Sequence, residues 1–138
     1  MNNKLIRIGT MYLPVTDIKL SAVWYVRHLG AKLNYQDEDK AILELAHQSI
    51  FLVKSGDEES ANFMDHNGKK RFSVTFEVDG LASLEALHGD FISLGMKVEA
   101  IEDRGHAGRN FVFYDPDGNA FDVWSELSPS FRHLAHQE

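Results

Sequence analysis

The chain repeats one pattern of residues twice, and this repeat constrains the fold more than any other feature of the sequence. Residues 10–18 (TMYLPVTDI) open the first copy, and residues 73–81 (SVTFEVDGL) open the second. Each opening leads into an apolar periodic stretch that ends in Leu-Gly, at Leu29-Gly30 and at Leu94-Gly95. Two copies of one unit place equivalent positions around a pseudo-twofold axis, so we expect side chains near that axis to form a site.

The composition narrows the classes of partner. A chain of 138 residues with 43% apolar residues is long enough for one domain with its own core. The formal net charge of −7 argues against nucleic acid and anionic membranes as partners. There is no cysteine, which excludes disulfides and thiolate chemistry. Because no apolar run approaches membrane-spanning length, we expect a cytoplasmic protein without a membrane partner.

The first copy, residues 5–55, predicts the order βαβββ. Leu5–Val15 alternates as a strand does, and Thr16 or Asp17 can cap the helix that follows. Gly30 stands where a left-handed residue would end that helix. Three short strands separated by polar turns are then expected at Lys32–Gln36, Ala41–Ala46 and Ser49–Lys54.

The second copy, residues 72–127, predicts the same order. Phe72–Val78 reads as a strand, and Asp79 can cap a helix that ends at Gly95. Lys97–Ile101 reads as the next strand, and the turn chemistry of Asp115-Pro116-Asp117-Gly118 predicts a hairpin. The two strands of that hairpin are expected at Asn110–Tyr114 and Asn119–Ser125.

The remaining segments are predicted as connections within a single domain of residues 1–138. Residues 56–71 are polar and long for a loop, which is typical of a linker between modules. Phe63 and Met64 interrupt its polarity, so we expect them to pack against the rest of the chain. Residues 128–138 have no clear period and are interpreted as a tail.

Two βαβββ modules, the segment 13–17 (LPVTD) and the segment 113–119 (FYDPDGN) together resemble the vicinal oxygen chelate superfamily. This superfamily includes glyoxalase I, the bleomycin-resistance proteins, the fosfomycin-resistance enzymes and the extradiol dioxygenases. The resemblance covers residues 5–127. It implies an α+β fold in which two modules form a curled mixed-sheet cup, with a divalent metal bound by the first and last strands of each module.

The resemblance also implies where metal ligands would stand. The first-strand positions fall on Thr10 and Ser73, and the last-strand positions fall on Phe51 and Asp122. Transition metals want several imidazole or carboxylate ligands, whereas only one carboxylate is present here. We therefore expect no tightly bound transition metal as a cofactor, and weakly held Mg²⁺ or Mn²⁺ is the alternative that stays open.

Strand alternation predicts which side chains line the cup. The candidate ligand-binding residues are Thr10, Tyr12, Phe51, Ser73, Thr75, Asn110, Val112, Asp122 and Trp124. The opposite strand faces, which carry Phe121 and Val123 among others, are expected to pack beneath the helices. An aromatic, hydroxyl-rich lining with one acid suits a small organic molecule with an apolar body and a few polar handles, including a cationic one.

Several of these residues have two readings. Asp122 is either a general base or ligand contact, and thus the candidate catalytic residue, or a carboxylate held by the Thr10 or Ser73 hydroxyl. Tyr12 and Trp124 either stack on a ligand or close a dimer interface. The loop before Asn110 carries Arg104 and two neighbouring basic residues; it either meets an anionic ligand or is a mobile surface loop.

Three functions follow from these readings. The first is a small-molecule binding protein without the superfamily's metal, like the bleomycin-resistance branch. The second is an enzyme, a lyase, isomerase or dioxygenase that works through Asp122 or a non-standard metal site. The third is an interaction module whose cup is filled by Phe51 and Trp124. Exposed sheet edges also predict a homodimer.

Overall fold

The computed structural model describes residues 4–135, apart from the side chains of residues 133 and 135. The chain divides into two compact units between Ala61 and Asn62, and this division falls inside the stretch predicted as a linker. Each unit contains its own sheet. In the described residues, no helix is both long enough and apolar enough to cross a membrane.

The first unit has the predicted order βαβββ. The elements are β1 (Thr10–Val15), α1 (Ile18–Leu29), β2 (Lys32–Gln36), β3 (Lys40–Leu45) and β4 (Gln48–Lys54). The four strands form one sheet in the order β1-β4-β3-β2, in which β1 and β4 are parallel and the other neighbours are antiparallel.

Helix α1 begins and ends as its sequence predicts. The Asp17 side chain accepts a hydrogen bond from the Leu20 amide at 3.0 Å, and Gly30 ends the helix in the left-handed region with φ of 74°. The residues that α1 buries include Ile18, Ala22 and Tyr25. The sheet contributes alternate side chains to the same core, namely Leu13, Val15, Ala41, Leu43, Ile50 and Leu52.

The second unit contains a three-stranded sheet and a separate two-stranded hairpin. The elements are β5 (Phe63–Met64), β6 (Lys70–Arg71), β7 (Val74–Glu77), α2 (Leu81–Ser93), β8 (Asn110–Tyr114), β9 (Ala120–Trp124) and α3 (Pro129–Ala135). The three-stranded sheet has the order β7-β9-β8, in which β7 is parallel to β9 and β8 is antiparallel to β9.

The strand predicted at Lys97–Ile101 is present only as two isolated bridges beside β8. Val98 pairs with Phe113 and Glu102 pairs with Asn110. Between them, the Glu99 amide donates to the Val112 carbonyl at 2.8 Å. The segment therefore takes the position of the missing fourth strand of the second sheet, but without a regular ladder.

Three local predictions were wrong. Asp79 does not cap α2: Gly80 is the N-cap, with φ of 101° and no side-chain hydrogen bond, a conformation that favours glycine. Strand β1 begins at Thr10 rather than at Leu5. Phe63 and Met64 are exposed, because their strand pairs with Lys70 and Arg71 in a separate two-stranded hairpin.

The turn between β8 and β9 closes as its residues predict. Gly118 has φ of 81°, and its amide donates to the Asp115 carbonyl at 3.0 Å. The Asp115 carboxylate accepts from the amides of Asp117 and Asn119 and from the Asn119 side chain. The final residues differ from the expected irregular tail, since residues 129–135 form α3.

Candidate functional site

The two faces of the second sheet carry the side chains that strand alternation predicts for them. On the face toward α2, Phe91 contacts Phe111 and Phe113 edge-on, at ring-centroid distances of 6.0 and 4.9 Å, and Phe113 stacks on Phe121 at 5.3 Å. Asp122 therefore belongs to the other face, and the expectation that Phe121 packs toward the helix is confirmed.

The strand register of the two units is equivalent. In the first unit Tyr12 lies opposite Phe51 in the parallel pair β1–β4, and in the second Thr75 lies opposite Asp122 in the parallel pair β7–β9. The sequence repeat makes Tyr12 and Thr75 equivalent, so Phe51 and Asp122 stand at the same position of the two units. This is the equivalence that the resemblance implied.

The first unit carries aromatic and aliphatic side chains on its helix-free face. The rings of Tyr12 and Phe51 stack with centroids 5.1 Å apart, and Ile42 pairs with Phe51 from the neighbouring strand. Tyr12 is 66% exposed. Thr10, at the other candidate position, is also exposed and pairs with Ser49.

The second unit carries a buried carboxylate at the equivalent position. Asp122 is 2% exposed, and its Oδ2 accepts from Thr75 Oγ1 at 3.0 Å and from Asn110 Nδ2 at 2.9 Å. Its Oδ1 makes no hydrogen bond of good geometry within the described residues but lies 3.1 Å from Arg104 Nη2. An ion pair with Arg104 therefore compensates the buried charge.

Arg104 reaches Asp122 because the second unit has a longer loop at this point. In the first unit only residues 37–39 separate β2 from β3, and Asp37 closes that turn by accepting from the amides of Asp39 and Lys40. In the second unit residues 103–109 separate the bridged residues Glu102 and Asn110. Comparing the two repeats would have revealed this insertion.

The same loop covers Trp124. The indole Nε1 donates to the Ala107 carbonyl at 2.9 Å, and the His106 ring lies edge-on to the indole. Gly108 has φ of 76°, and a Cβ there would lie 2.9 Å from the indole nitrogen and 2.6 Å from Ser125 Oγ. Glycine therefore permits the close approach of this loop to β9.

A cavity of about 400 Å³ lies in the second unit. Arg71 and Arg104 both lie over the Phe72 ring, at 5.7 and 5.6 Å from its centroid. The cavity is lined by four basic residues, two acidic residues and four others: Lys69, Lys70, Arg71, Arg104, Glu99, Glu102, Phe72, Val112, Tyr114 and Ala120.

Tyr114 and Glu99 form a neutral–charged pair at this cavity. The tyrosine hydroxyl donates to Glu99 Oε2, and Lys97 lies over the ring at 4.5 Å. Partial burial, followed by the bond to Glu99, raises the pKa of Tyr114 to about 12. The hydroxyl therefore remains a hydrogen-bond donor at neutral pH.

The predicted site residues fall into three groups. Thr10, Tyr12 and Phe51 share the helix-free face of the first sheet. In the second unit Val112 is the candidate that lines the cavity. Thr75 and Asn110 donate hydrogen bonds to Asp122, Trp124 lies beneath the loop, and Ser73 is exposed. The assignment of all nine candidates to one ligand-binding site stays a prediction.

Sequence reasoning missed most of the cavity lining. Phe72 and Tyr114 were read only as strand residues, although the basic run that ends at Arg71 and the basic loop containing Arg104 were visible in the sequence. What could not be read from the sequence is that the linker hairpin and this loop contribute to the same cavity.

The residues present do not fit the metal that the resemblance implies. Among the side chains that the structure describes, which exclude that of His133, no three histidines or carboxylates are grouped as metal ligands would be. Asp122 already has a guanidinium at 3.1 Å, which would repel a divalent cation. Phe51, at the equivalent position of the first unit, has no donor atom.

Solved structures share this fold. Lactoylglutathione lyase from Agrobacterium tumefaciens is 18% identical, with a TM-score of 0.69 over 88% of this chain and 95% of that chain. A glyoxylase/bleomycin resistance protein/dioxygenase domain from Frankia sp. EAN1pec is 20% identical, with a TM-score of 0.69 over 90% of this chain and 100% of that chain.

A third structure is the fosfomycin resistance protein FosX from Listeria monocytogenes complexed with Mn(II) and sulfate ion. It is 15% identical, with a TM-score of 0.69 over 96% of this chain and 99% of that chain. Among curated proteins, none matches the sequence. The family model described as Glyoxalase/Bleomycin resistance protein/Dioxygenase superfamily matches residues 7–123, and the chain therefore belongs to this superfamily.

Proposed function

We propose that the protein binds a small organic molecule without a metal, in the cavity of its second unit. The observation that carries this proposal is the ion pair between Arg104 and Asp122, 3.1 Å apart. At the position where the resemblance implies a metal ligand, an internal cation balances the carboxylate. A second, divalent cation at this carboxylate would have to displace or repel Arg104.

The size and chemistry of the cavity support a small ligand. Ligand pockets in proteins measure roughly 300–1,000 Å³ and combine apolar surface with a few polar groups. The cavity of about 400 Å³ offers Phe72, Val112 and Ala120 as apolar surface and Tyr114 as an aromatic side chain with a polar end. This suits a molecule about the size of one substituted ring.

We do not assign a general-base role to Asp122. A general base needs a free lone pair directed at the substrate proton. Here one carboxylate oxygen accepts from Thr75 and Asn110, and the other faces Arg104. These contacts support a role for Asp122 in holding Arg104 in place.

Elemental analysis and ligand binding on one protein sample test the proposal together. The protein would be dialysed against citrate and analysed for Mn, Fe, Ni and Zn, and the same sample would be titrated with substituted benzenes by nuclear magnetic resonance. We expect sub-stoichiometric metal and saturable shifts at Val112 and Tyr114. One retained equivalent of metal, or shifts that require added Mn²⁺, would contradict the proposal.

Two further expectations accompany this function. We propose a homodimer with twofold symmetry, supported by the sheet edges of each unit, and a location in the cytoplasm. Sedimentation velocity at micromolar concentration tests the assembly. A single monomeric species would contradict the dimer and leave the binding proposal unaffected.

A further inference from the structure

The cavity of the second unit contains more cationic groups than the nearby carboxylate balances. Lys69 precedes strand β6 of the hairpin and Lys70 begins it, and within the described part of the chain neither forms an ion pair. Asp65 lies 3.9 Å from Arg71 and interacts electrostatically with Lys69 as well. Because Arg71 and Lys69 share this carboxylate, the hairpin presents positive charge that an anionic group of a ligand can balance.

A second set of cavity residues leaves negative charge uncompensated. Arg104 is shared by two carboxylates, since its Nη2 lies 3.3 Å from Glu102 and 3.1 Å from Asp122. Glu99 accepts a hydrogen bond from Tyr114, which is a neutral donor and does not cancel the charge. This set, on the segment beside β8, therefore favours a cationic or N–H-donating group.

An aromatic ring connects the two sets. Phe72 follows Arg71 in the chain and has both the Arg71 and the Arg104 guanidinium over its ring. We propose, in a step that rests on the proposed function, that the ligand is amphoteric. It has a planar apolar body, an oxyanion that binds Lys69 and Lys70, and an ammonium group that binds Glu99.

Three probes of one shape test this inference on the citrate-dialysed protein. They are para-(aminomethyl)benzoate, which carries both charges, para-methylbenzoate and para-methylbenzylamine, and their affinities are measured by nuclear magnetic resonance titration. We expect the doubly charged probe to bind roughly fivefold more tightly than either singly charged probe, because an ion pair at an exposed side chain contributes up to about that factor.

Charge-removing variants test which protein side chains bind the carboxylate of a probe and which bind its ammonium group. Replacing both lysines (Lys69→Gln with Lys70→Gln) is expected to weaken the two acids roughly fivefold and leave the amine unchanged. Glu99→Gln is expected to weaken the two amines and leave para-methylbenzoate unchanged. Lys54→Gln, at the end of β4 in the first unit, is the matched control and is expected to change none of the three affinities.

Results that differ from these expectations contradict either the amphoteric ligand or the proposed function. Equal affinities for the three probes in metal-free protein would overturn the amphoteric ligand and leave the proposed function standing. Probe binding that appears only after Mn²⁺ is added would overturn the proposed function itself. No binding of any probe, or equal losses for acids and amines in every variant, would also overturn the inference.

Discussion

The two units place chemically opposite side chains on equivalent positions of their separate sheets. In the first unit Tyr12 stacks on Phe51, and the face is aromatic and exposed. In the second unit the equivalent pair is Thr75 and Asp122, which are hydrogen-bonded and joined to Arg104. The backbone register is the same in both, so the difference lies in the side chains and in the loop that supplies Arg104.

This difference shows that the stability of a buried carboxylate depends on contacts from outside its own strand. Asp122 is stable in a nearly dry position because residues 103–109 bring a guanidinium to it. The short turn of the first unit brings no such group, since Asp37 there pairs with Lys40 within the turn. A carboxylate at position 51 would therefore lack a partner that its own unit could provide.

Removing the buried carboxylate is expected to have the largest effect. Asp122→Ala leaves Arg104 and Asn110 without their shared acceptor, and breaking such a pair costs about 2–3 kcal/mol when one partner is part-exposed. Chemical denaturation measures the loss in the free energy of unfolding. A change below about 0.5 kcal/mol would show that the ion pair does not organise this face.

Gly108→Ala is expected to have the next largest effect. The added Cβ combines strain at a positive φ with contacts of 2.6 Å to Ser125 Oγ and 2.9 Å to the Trp124 indole, and we expect a cost of about 2 kcal/mol. Gly105→Ala is the matched control, because it has φ of 86° but no atom within 4 Å, so strain alone acts there. Equal losses in both variants would mean that the loop does not pack on β9.

Phe51→Ala tests the equivalent position of the first unit. Its ring is partly exposed and stacks on one neighbour, so we expect a loss of about 1 kcal/mol, smaller than that of Asp122→Ala. Combining it with Tyr12→Ala should cost less than the sum of the two single changes, because each ring loses the same partner. A loss larger than that of Asp122→Ala would reverse the comparison between the units.

The smallest expected effect is a pH dependence at the cavity. The pKa of Tyr114 is raised from 10.0 to about 12, so its contribution to stability is complete below pH 10 and is lost as the pH rises through 12. Tyr114→Phe should therefore flatten the fall in stability across this window, and tyrosinate absorbance should show the late titration directly. Tyr12→Phe, at an exposed tyrosine of the first unit, is the control. An unchanged pH profile in Tyr114→Phe would contradict the assignment.

The sequence predicted the parts of the molecule that depend on local periodicity. The βαβββ order, the caps of α1 at Asp17 and Gly30, and the Asp115 turn all follow from residues close together in the chain. The equivalence of Phe51 and Asp122 was implied by the resemblance to the superfamily. These features need no knowledge of distant contacts.

The cavity could not be predicted in the same way. It is formed by residues from the hairpin, the irregular segment and β8, which are far apart in the sequence. Gly80 rather than Asp79 caps α2 because the Gly80 amide donates to the distant Ser125 carbonyl, a contact with no local signal. The pairing of Arg104 with Asp122 depends likewise on how a loop folds back on a sheet.

A double-mutant cycle between Arg104 and Asp122 tests the central claim most directly. The free energy of unfolding would be measured for the wild type, Arg104→Ala, Asp122→Ala and the double variant, with Arg109→Ala as a control from the same loop. The account predicts a coupling energy of about 1–2 kcal/mol between Arg104 and Asp122 and none between Arg109 and Asp122. Additive losses within about 0.3 kcal/mol for Arg104 and Asp122 would show that this ion pair does not stabilise the face and would contradict the account.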